Sequence, residues 1–330
     1  MKQSSGIIST DPQDTEACEG TDLTDDAEWR TLTLAPEQHQ QRLDRALADS
    51  LPEFSRSYVQ QLIDTGMVRV NGVLAAKSAQ RVKALYQVQV ELRPTPQSQA
   101  FSPQPMALDV VFEDSDVLVL NKPAGLVVHP APGNWSGTLL NGLLAYDKVF
   151  TLMPRAGIVH RLDRDTSGLM VVAKNRTAMD ALITAIAART VSRQYLAVGQ
   201  RPWSGAALRT VDAAIGRDPR NRLRMAVVDL NQYAGKTART DFALQRNFAS
   251  ACLVHCSLHT GRTHQIRVHM AFIGHPLVGD TVYGGSPMHG MARQALHATH
   301  LAFAHPVSGQ ALVFDAQPPP DFLGLLAALE

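Results

Sequence analysis

The chain has 330 residues, 45% of them hydrophobic and 18% charged, enough for two domains of which one carries a full core. No apolar run approaches the roughly 20 residues of a membrane helix, and the first residues lack a basic-then-apolar export pattern. Three cysteines make no disulfide framework. A membrane protein and a disulfide-stapled secreted domain are therefore not expected; the cytoplasm is the expected compartment and a monomer the default.

The formal net charge of +1 hides an asymmetry, because residues 1–28 hold one Lys and eight Asp/Glu while the remainder carries 30 Lys/Arg against 22 Asp/Glu. An acidic tail on a basic body suits a nucleic-acid partner, although a soluble enzyme with ordinary surface charge reads the same way. Residues 1–28 are acidic, Ser/Thr-rich and poor in apolar residues, so a disordered tail is expected there.

Residues 29–92 are expected to form a small α+β domain. Leu43, Ala46 and Leu47 mark one short amphipathic helix, and Val59, Leu62 and Ile63 a second, with Ser57 and Gln60 placed as a capping box and Gly66 as its stop. Asn71-Gly72 between Met67–Val70 and Val73-Leu74 is a hairpin signal, and Val88, Val90 and Leu92 alternate with polar residues as a half-buried strand. Arginines and lysines, Arg56 and Arg69 among them, spread over this unit. Leu62-Ile63-Asp64-Thr65-Gly66 matches the pattern of aspartic proteases, but the Asp-Thr-Gly falls where the second helix ends, and a helix stop explains the glycine better. Pro94, Pro96, Pro103 and Pro105 among Gln and Ser make residues 93–107 a semi-rigid, extended linker.

The large domain, 108–330, opens with a hairpin, Leu108–Phe112 and Val117–Leu120, followed by Asn121-Lys122-Pro123-Ala124-Gly125. Lys122 at a strand end reads equally as a phosphate ligand or as a surface cation at a turn. A Leu-rich helix spans Thr138 to Tyr146. The stretch from Arg155 to Lys174 is the centre of the chain. Apolar Ile158-Val159 and the buried-strand run Leu169–Ala173 bracket a polar segment without helical or alternating period, containing His160, Arg161, Asp163, Arg164 and Asp165. Two carboxylates and three cations in a loop pinned by strands make a site rather than a solvated linker. Asp165, before Thr-Ser-Gly, reads as an Asx-type turn former more readily than as a second catalytic carboxylate.

Asn175 to Arg189 has helical spacing, and Val191 to Gly199 alternates so that Arg193 and Tyr195 share one face. A tyrosine sharing its face with an arginine points to the lining of a cleft more than to a core, with an amphipathic tyrosine at a sheet surface as the alternative. Residues 216–224 place Arg220 and Arg222 in a four-arginine turn suited to a phosphate backbone, or to a solvated hairpin tip. Strands are expected over Thr237–Arg246 and Ala251–Leu258. The Cys252-x-x-His255-Cys256-x-x-His259 spacing hints at metal, yet a strand sends the cysteines to one face and the histidines to the other, so no metal is expected. Thr260-Gly-Arg-Thr-His-Gln-Ile-Arg-Val-His-Met-Ala271 reads as a helix from about Thr263. His264, Arg267 and Ala271 then share a stripe, with Arg262 just before it and Gly274 and Pro276 as stops.

These stretches resemble the RluA family of pseudouridine synthases, through Asn121–Pro130, Gly157–Lys174, Arg193–Ala197, Gly216–Val227, Thr260–Met270, Gly274–Gly285 and Arg293–Ala298. The pairing of His-Arg-Leu-Asp with Thr-Gly-Arg-Thr-His-Gln-Ile-Arg is highly specific. His259 stands where relatives often carry an acidic residue, and Arg193 where Lys is frequent. The helix-helix-hairpin order of residues 41–92, with Ser55-Arg56-Ser57 and Val70-Asn71-Gly72, resembles the S4-like RNA-binding domain, except that Leu85-Tyr86 replaces its usual Gly-Asp.

The resemblance implies an α+β pseudouridine synthase fold with a mixed, largely antiparallel central sheet and a small N-terminal S4-like domain. It implies conversion of uridine in RNA to its C-glycoside isomer without cofactor or metal. Its closest match is the branch acting on ribosomal RNA of the large subunit (23S). The essential aspartate maps onto Asp163, the stacking and base-deprotonating tyrosine onto Tyr195, and the aspartate's arginine partner onto Arg267. Arg161 maps onto the residue that fills the gap left by an extruded nucleotide. Lys122, Arg164, Arg220, Arg222, Arg262, Arg56 and Arg69 are the further residues expected to contact RNA. The same chemistry on other ribosomal sites or on transfer RNA, and a non-catalytic RNA-binding assembly factor, are the alternatives.

Overall fold

The computed structural model describes residues 28–92, 98–131 and 133–330. The acidic stretch expected to be disordered lies outside the described residues except for Glu28, which opens the first strand. The described residues fall into two compact units, divided between residues 95 and 96.

The first unit contains β1 (Glu28–Thr33), α1 (Leu43–Ser50), α2 (Arg56–Asp64), β2 (Val68–Val70), β3 (Val73–Leu74) and β4 (Gln87–Leu92). Its antiparallel sheet runs β1-β4-β2-β3, and the apolar faces of both helices meet Val68, Val88 and Val90 in one core. The cap of α2 is Ser55, whose hydroxyl accepts from the Tyr58 N–H at 3.3 Å, not Ser57. Ser57 falls inside the first turn, and Gln60 donates to the Asp44 carboxylate at 2.6 Å instead of reaching back. The Asn71-Gly72 turn has φ of 49° and 80°, as a two-residue hairpin requires. Leu85 also sits in the left-handed region, at φ 66°, so the leucine has taken on the conformation for which glycine is suited.

The second unit is built on a nine-stranded sheet. Its strands are β5 (Val110–Glu113), β6 (Val117–Lys122), β7 (Ser167–Ala173), β8 (Ser192–Gln200), β9 (Leu208–Asp212), β13 (Arg239–Asn247), β14 (Ala251–Leu258), β15 (Leu296–Ala304) and β16 (Ala311–Asp315). Between β9 and β13 the chain forms a separate small sheet of β10 (Ile215–Arg217), β11 (Met225–Val227) and β12 (Gly235–Lys236). The large sheet runs β5-β6-β7-β15-β8-β14-β13-β9 with β16 beside β15, and its pairings are antiparallel except β7 with β15. The mixed, largely antiparallel sheet expected of the chain is therefore present.

Helices α3 (Leu139–Tyr146), α4 (Arg176–Ala187), α5 (Gln265–Phe272) and α6 (Pro320–Leu329) complete the unit. Along β6, Leu118 and Leu120 face the core that contains α3, while Val117 and Val119 face the one that contains α4. With both faces covered, β7 is buried along its whole length, which is why its sequence is apolar without alternation. Part of the segment expected to be an extended linker is packed down: the Asn141 amide on α3 donates to the carbonyls of Ala100 (3.1 Å) and Ser102 (2.8 Å).

Candidate active site

The polar loop leaves β7's neighbourhood at Ile158, which bridges Val172, and returns at Ser167. Its backbone is held carbonyl by carbonyl. The Asp163 carbonyl accepts from the Thr166 N–H (3.1 Å) and the Arg164 carbonyl from the Gly125 N–H (2.9 Å). The Asp165 carbonyl accepts from Arg293 Nη1 (2.9 Å). Arg293 is itself forked onto Asp321, in the first turn of α6, at 2.7 and 2.9 Å. His160 is tied down by accepting the Val171 N–H at 3.1 Å, and burial pushes it down to about 3, so it is a neutral structural acceptor.

What this frame presents is the Asp163 carboxylate, which accepts from Arg267 Nη1 at 3.1 Å and is 17% exposed. Arg267 comes from α5, is 7% exposed, and forks onto a second carboxylate, Asp280, at 2.7 and 2.9 Å. Burial works against the Arg267 charge, but Asp280, and after it Asp163, outweigh that and raise its pKa above the ordinary arginine value. The ring of Tyr283 lies under the guanidinium, 5.0 Å from its centroid. The Tyr283 hydroxyl accepts the Met225 N–H at 3.1 Å and stands 2.8 Å from His264 Nδ1. His264 is lowered by burial, against the pull of Asp163 3.8 Å away.

Asp163, Arg161, His264, Arg267, Arg193 and Tyr195 all line one cleft of about 750 Å³. Tyr195, on β8, is 5% exposed, and burial pushes its phenol up to about 12, with Arg193 working the other way. An aromatic face, a carboxylate held by a buried guanidinium, and space for a nucleoside-sized group are thereby collected from β7's loop, β8 and α5, which are far apart in sequence.

Residues 116–272 match the RNA pseudouridylate synthase family, and residues 41–87 match the S4 domain. Ribosomal large subunit pseudouridine synthase D of Neisseria meningitidis serogroup A is 45% identical over 340 residues, covering 96% of this chain and 88% of that protein. The protein of that name from Escherichia coli O157:H7 is 43% identical over 314 residues, covering 91% of this chain and 94% of its own. The chain belongs to the RNA pseudouridylate synthase family. Among solved structures, human RNA pseudouridylate synthase domain containing 1 superposes with a TM-score of 0.51 at 27% identity, covering 66% of this chain and 86% of that one.

Not every residue expected to meet RNA is free to do so in this synthase. Lys122 is a correction. It is fully buried, and its ammonium donates to the carbonyls of Pro123 (2.8 Å), Leu126 (2.9 Å) and Arg164 (2.9 Å). With three donors spent on the chain it is neither a phosphate ligand nor a surface cation; it staples the Asp163 loop to the end of β6. Burial pushes it down to about 7, while Asp165 and Asp163 pull the other way. Asp165 closes no Asx turn through its carboxylate, which is forked by Arg164 at 3.1 and 3.1 Å, while the turn itself is the Asp163 to Thr166 backbone bond. Arg161 and Arg164 are exposed. Arg262 lines the cleft with its Nε given to the Thr237 carbonyl at 3.0 Å.

Arg220 and Arg222 are exposed on the β10–β11 loop and do not line the cleft. That loop is shaped by Asp218, which accepts the Arg220 N–H (2.8 Å) and Arg224 Nε (2.7 Å). In the first unit Arg69 and Arg56 are both exposed, and Arg56 also forks onto the fully buried Asp44 at 3.2 and 2.9 Å. Cys252 and Cys256 are buried on one face of β14, and His259 is paired with Asp241 at 2.6 Å, so that spacing does not converge on a metal.

Asp280 and Tyr283 were not among the expected site residues, although the stretch Gly274–Gly285 that contains them is one of those that carry the resemblance. Nothing local marks a lone aspartate after a turn as the second partner of a distant arginine. Helix α5 begins at Gln265, later than expected, because His264 caps it in the left-handed region at φ 58°. That conformation is strained for a residue with a Cβ, by about 1–2 kcal/mol.

Proposed function

We propose that the synthase isomerises specific uridines to pseudouridine in 23S ribosomal RNA of the large subunit, with Asp163 acting at the glycosidic bond. The observation that carries this reading is the Asp163–Arg267 pair, 3.1 Å apart, opening on the cleft that Tyr195 lines. The names of the relatives at 45% and 43% identity over most of the chain support the ribosomal substrate, and an RNA-binding S4 domain suits capture of a structured RNA. A ribosomal substrate sets the cytoplasm as the place of action; among the described residues no helix is long and apolar enough to cross a membrane.

The target carbon and nitrogen are inaccessible in a stacked helix, so the nucleotide leaves the stack, and exposed Arg161 at the cleft edge takes its place. The bond between N1 and the ribose then breaks with a carboxylate close to the sugar, as in glycoside cleavage. Asp163 serves there as nucleophile toward the sugar, as nucleophile toward the base, or as acceptor of a ribose proton. The freed ring stays in the cleft against Tyr195, turns and rejoins through C5. Stacking on an aromatic face is worth about 1–3 kcal/mol per base and leaves in-plane rotation free. A phenol held up to about 12 is protonated at neutral pH, so its surroundings support stacking more than removal of the C5 proton.

Release of tritium from RNA labelled at C5 of uridine tests the assignment. Asp163→Asn is expected to bind RNA like the wild type and release nothing, and comparable release from both proteins would end it. Mapping modified sites in cells lacking the protein identifies the uridines served.

A further inference from the structure

Two arginines among the described residues are buried, and they are treated differently by the fold. Arg267 is neutralised by two carboxylates. The side chain of Arg193, a residue 7% exposed, makes no hydrogen bond or ion pair among the described residues, and its Nε is a buried donor without a partner. The two rings that feel its charge offer it no partner: His160 is neutral with its Nε2 accepting from the Val171 N–H, and Tyr195 is a protonated phenol. A guanidinium stays charged when buried, and an uncompensated buried charge is strongly destabilising. Such a donor is a ready partner for an acceptor that enters the cleft.

The position of the group says what that is. Arg193 lies two residues before Tyr195 on the same face of β8 and lines the same cleft. Its Nη1 rests against the backbone at Gly261, 2.9 Å from where a Cβ would stand, so the glycine of the Thr-Gly-Arg-Thr stretch leaves room for the guanidinium. On the synthase reading, phosphates of a bound strand meet the exposed Arg161 and half-buried Arg262, and the base of the extruded nucleotide meets the buried Tyr195.

We propose that Arg193 is a catalytic residue that donates to a ring carbonyl oxygen of the flipped uracil and stabilises the negative charge that ring acquires. This rests on the synthase reading above and deepens it. When the C1′–N1 bond breaks, its electron pair leaves with the uracil, and the ring anion is spread over N1, O2 and O4. If Asp163 instead adds to the ring, the displaced electron pair also reaches a carbonyl oxygen. The anion is consumed when C5 forms its bond to C1′; departure of the C5 proton then returns an electron pair to the ring, over N1 and the carbonyl oxygens, until N1 takes up a proton, so the same guanidinium serves every route open to Asp163. A preorganised cation in a dry cleft is worth most where charge develops. It also selects a base edge with carbonyl acceptors over the amino edge of cytosine.

The test compares wild type, Arg193→Met, Arg193→Lys and Asp163→Asn, as full chains, by C5-tritium release, RNA binding at several salt concentrations, and thermal melting. Expected for Arg193→Met is a kcat lowered about 10²–10³-fold, with KM and the salt dependence of binding unchanged, and a raised Tm because an uncompensated charge has left the interior. Arg193→Lys recovers part of kcat. A raised KM with kcat intact and a shallower salt dependence would assign the group to a phosphate and overturn the proposal. A Tm lowered in Arg193→Met would make the residue structural, and an unchanged kcat would end the idea outright. Release by the wild type that Asp163→Asn abolishes establishes the parent reading independently of Arg193, so failure of one is told from failure of the other.

Discussion

Removing Asp280 separates what holds Arg267 from what reacts. The Asp280 side chain is 1% exposed and takes two of the Arg267 nitrogens, whereas Asp163 is 17% exposed and takes one at 3.1 Å. Asp280→Ala leaves a 7% exposed guanidinium with only that single, longer bond. Breaking a buried pair from one side costs about 3–5 kcal/mol, roughly 6–20 °C in Tm for a unit of this size. Asp163→Asn keeps an acceptor oxygen and leaves Arg267 paired with Asp280, so it is expected to cost about 1 kcal/mol or less. Calorimetric melting of both variants, alongside tritium release, reads the contrast: Asp280→Ala is unstable and impaired, Asp163→Asn stable and inert. Equal Tm losses in the two, or an Asp280→Ala protein with wild-type Tm and release, would refute the division of labour drawn here.

Lys122→Met is expected to lower kcat by freeing the Arg164 carbonyl and loosening the Asp163 loop. It also removes a pH dependence. With the folded-state value near 7 against 10.5 unfolded, the unfolded chain binds more protons between those pH values. The residue's contribution to stability therefore rises with pH across that window, by at most about 5 kcal/mol. Urea melts from pH 7 to pH 10 should show a shallower rise in the variant, and parallel slopes would contradict the lowering of Lys122 by burial. Leu85→Gly should stabilise the first unit by about 1 kcal/mol, since the side chain is 74% exposed and the backbone is left-handed; a lowered Cm in urea would count against it. Arg220→Ala and Arg222→Ala should each reduce the slope of log affinity against log salt by about 1 while leaving kcat at saturation intact, a result excluded if binding at low salt is unaffected.

Much of this molecule is legible from one dimension. Strand β7 announces itself as an unbroken apolar run because both its faces are covered, and the polar loop before it stands out because charges without a period have no packing reason to be there. The shared face of Arg193 and Tyr195 follows from strand alternation alone. Strand β15 was harder to see: Leu-His-Ala-Thr-His-Leu-Ala-Phe-Ala mixes histidines and alanines. Its histidines are absorbed by tertiary partners, His297 by the Ser167 hydroxyl and the Ala316 carbonyl, and His300 by Asp315. The C-terminal helix α6 starts on the last residue of the triple proline 318–320, the first helical position, where a missing N–H is not needed.

The residue types needed for the chemistry, the elements carrying them and the family are determined by the sequence, because periodicity and spacing are local properties of the chain. Which cation does what is decided only in three dimensions. Lys122 is consumed inside the protein, and Arg56, though exposed, is tied to the buried Asp44. Asp280 proves to be Arg267's principal partner, and Arg193 is buried without one. Burial and pairing depend on what the rest of the fold brings within about 3 Å of a charged group, and a charge is written the same way in the sequence whether water, a carbonyl, a carboxylate or nothing at all stands beside it.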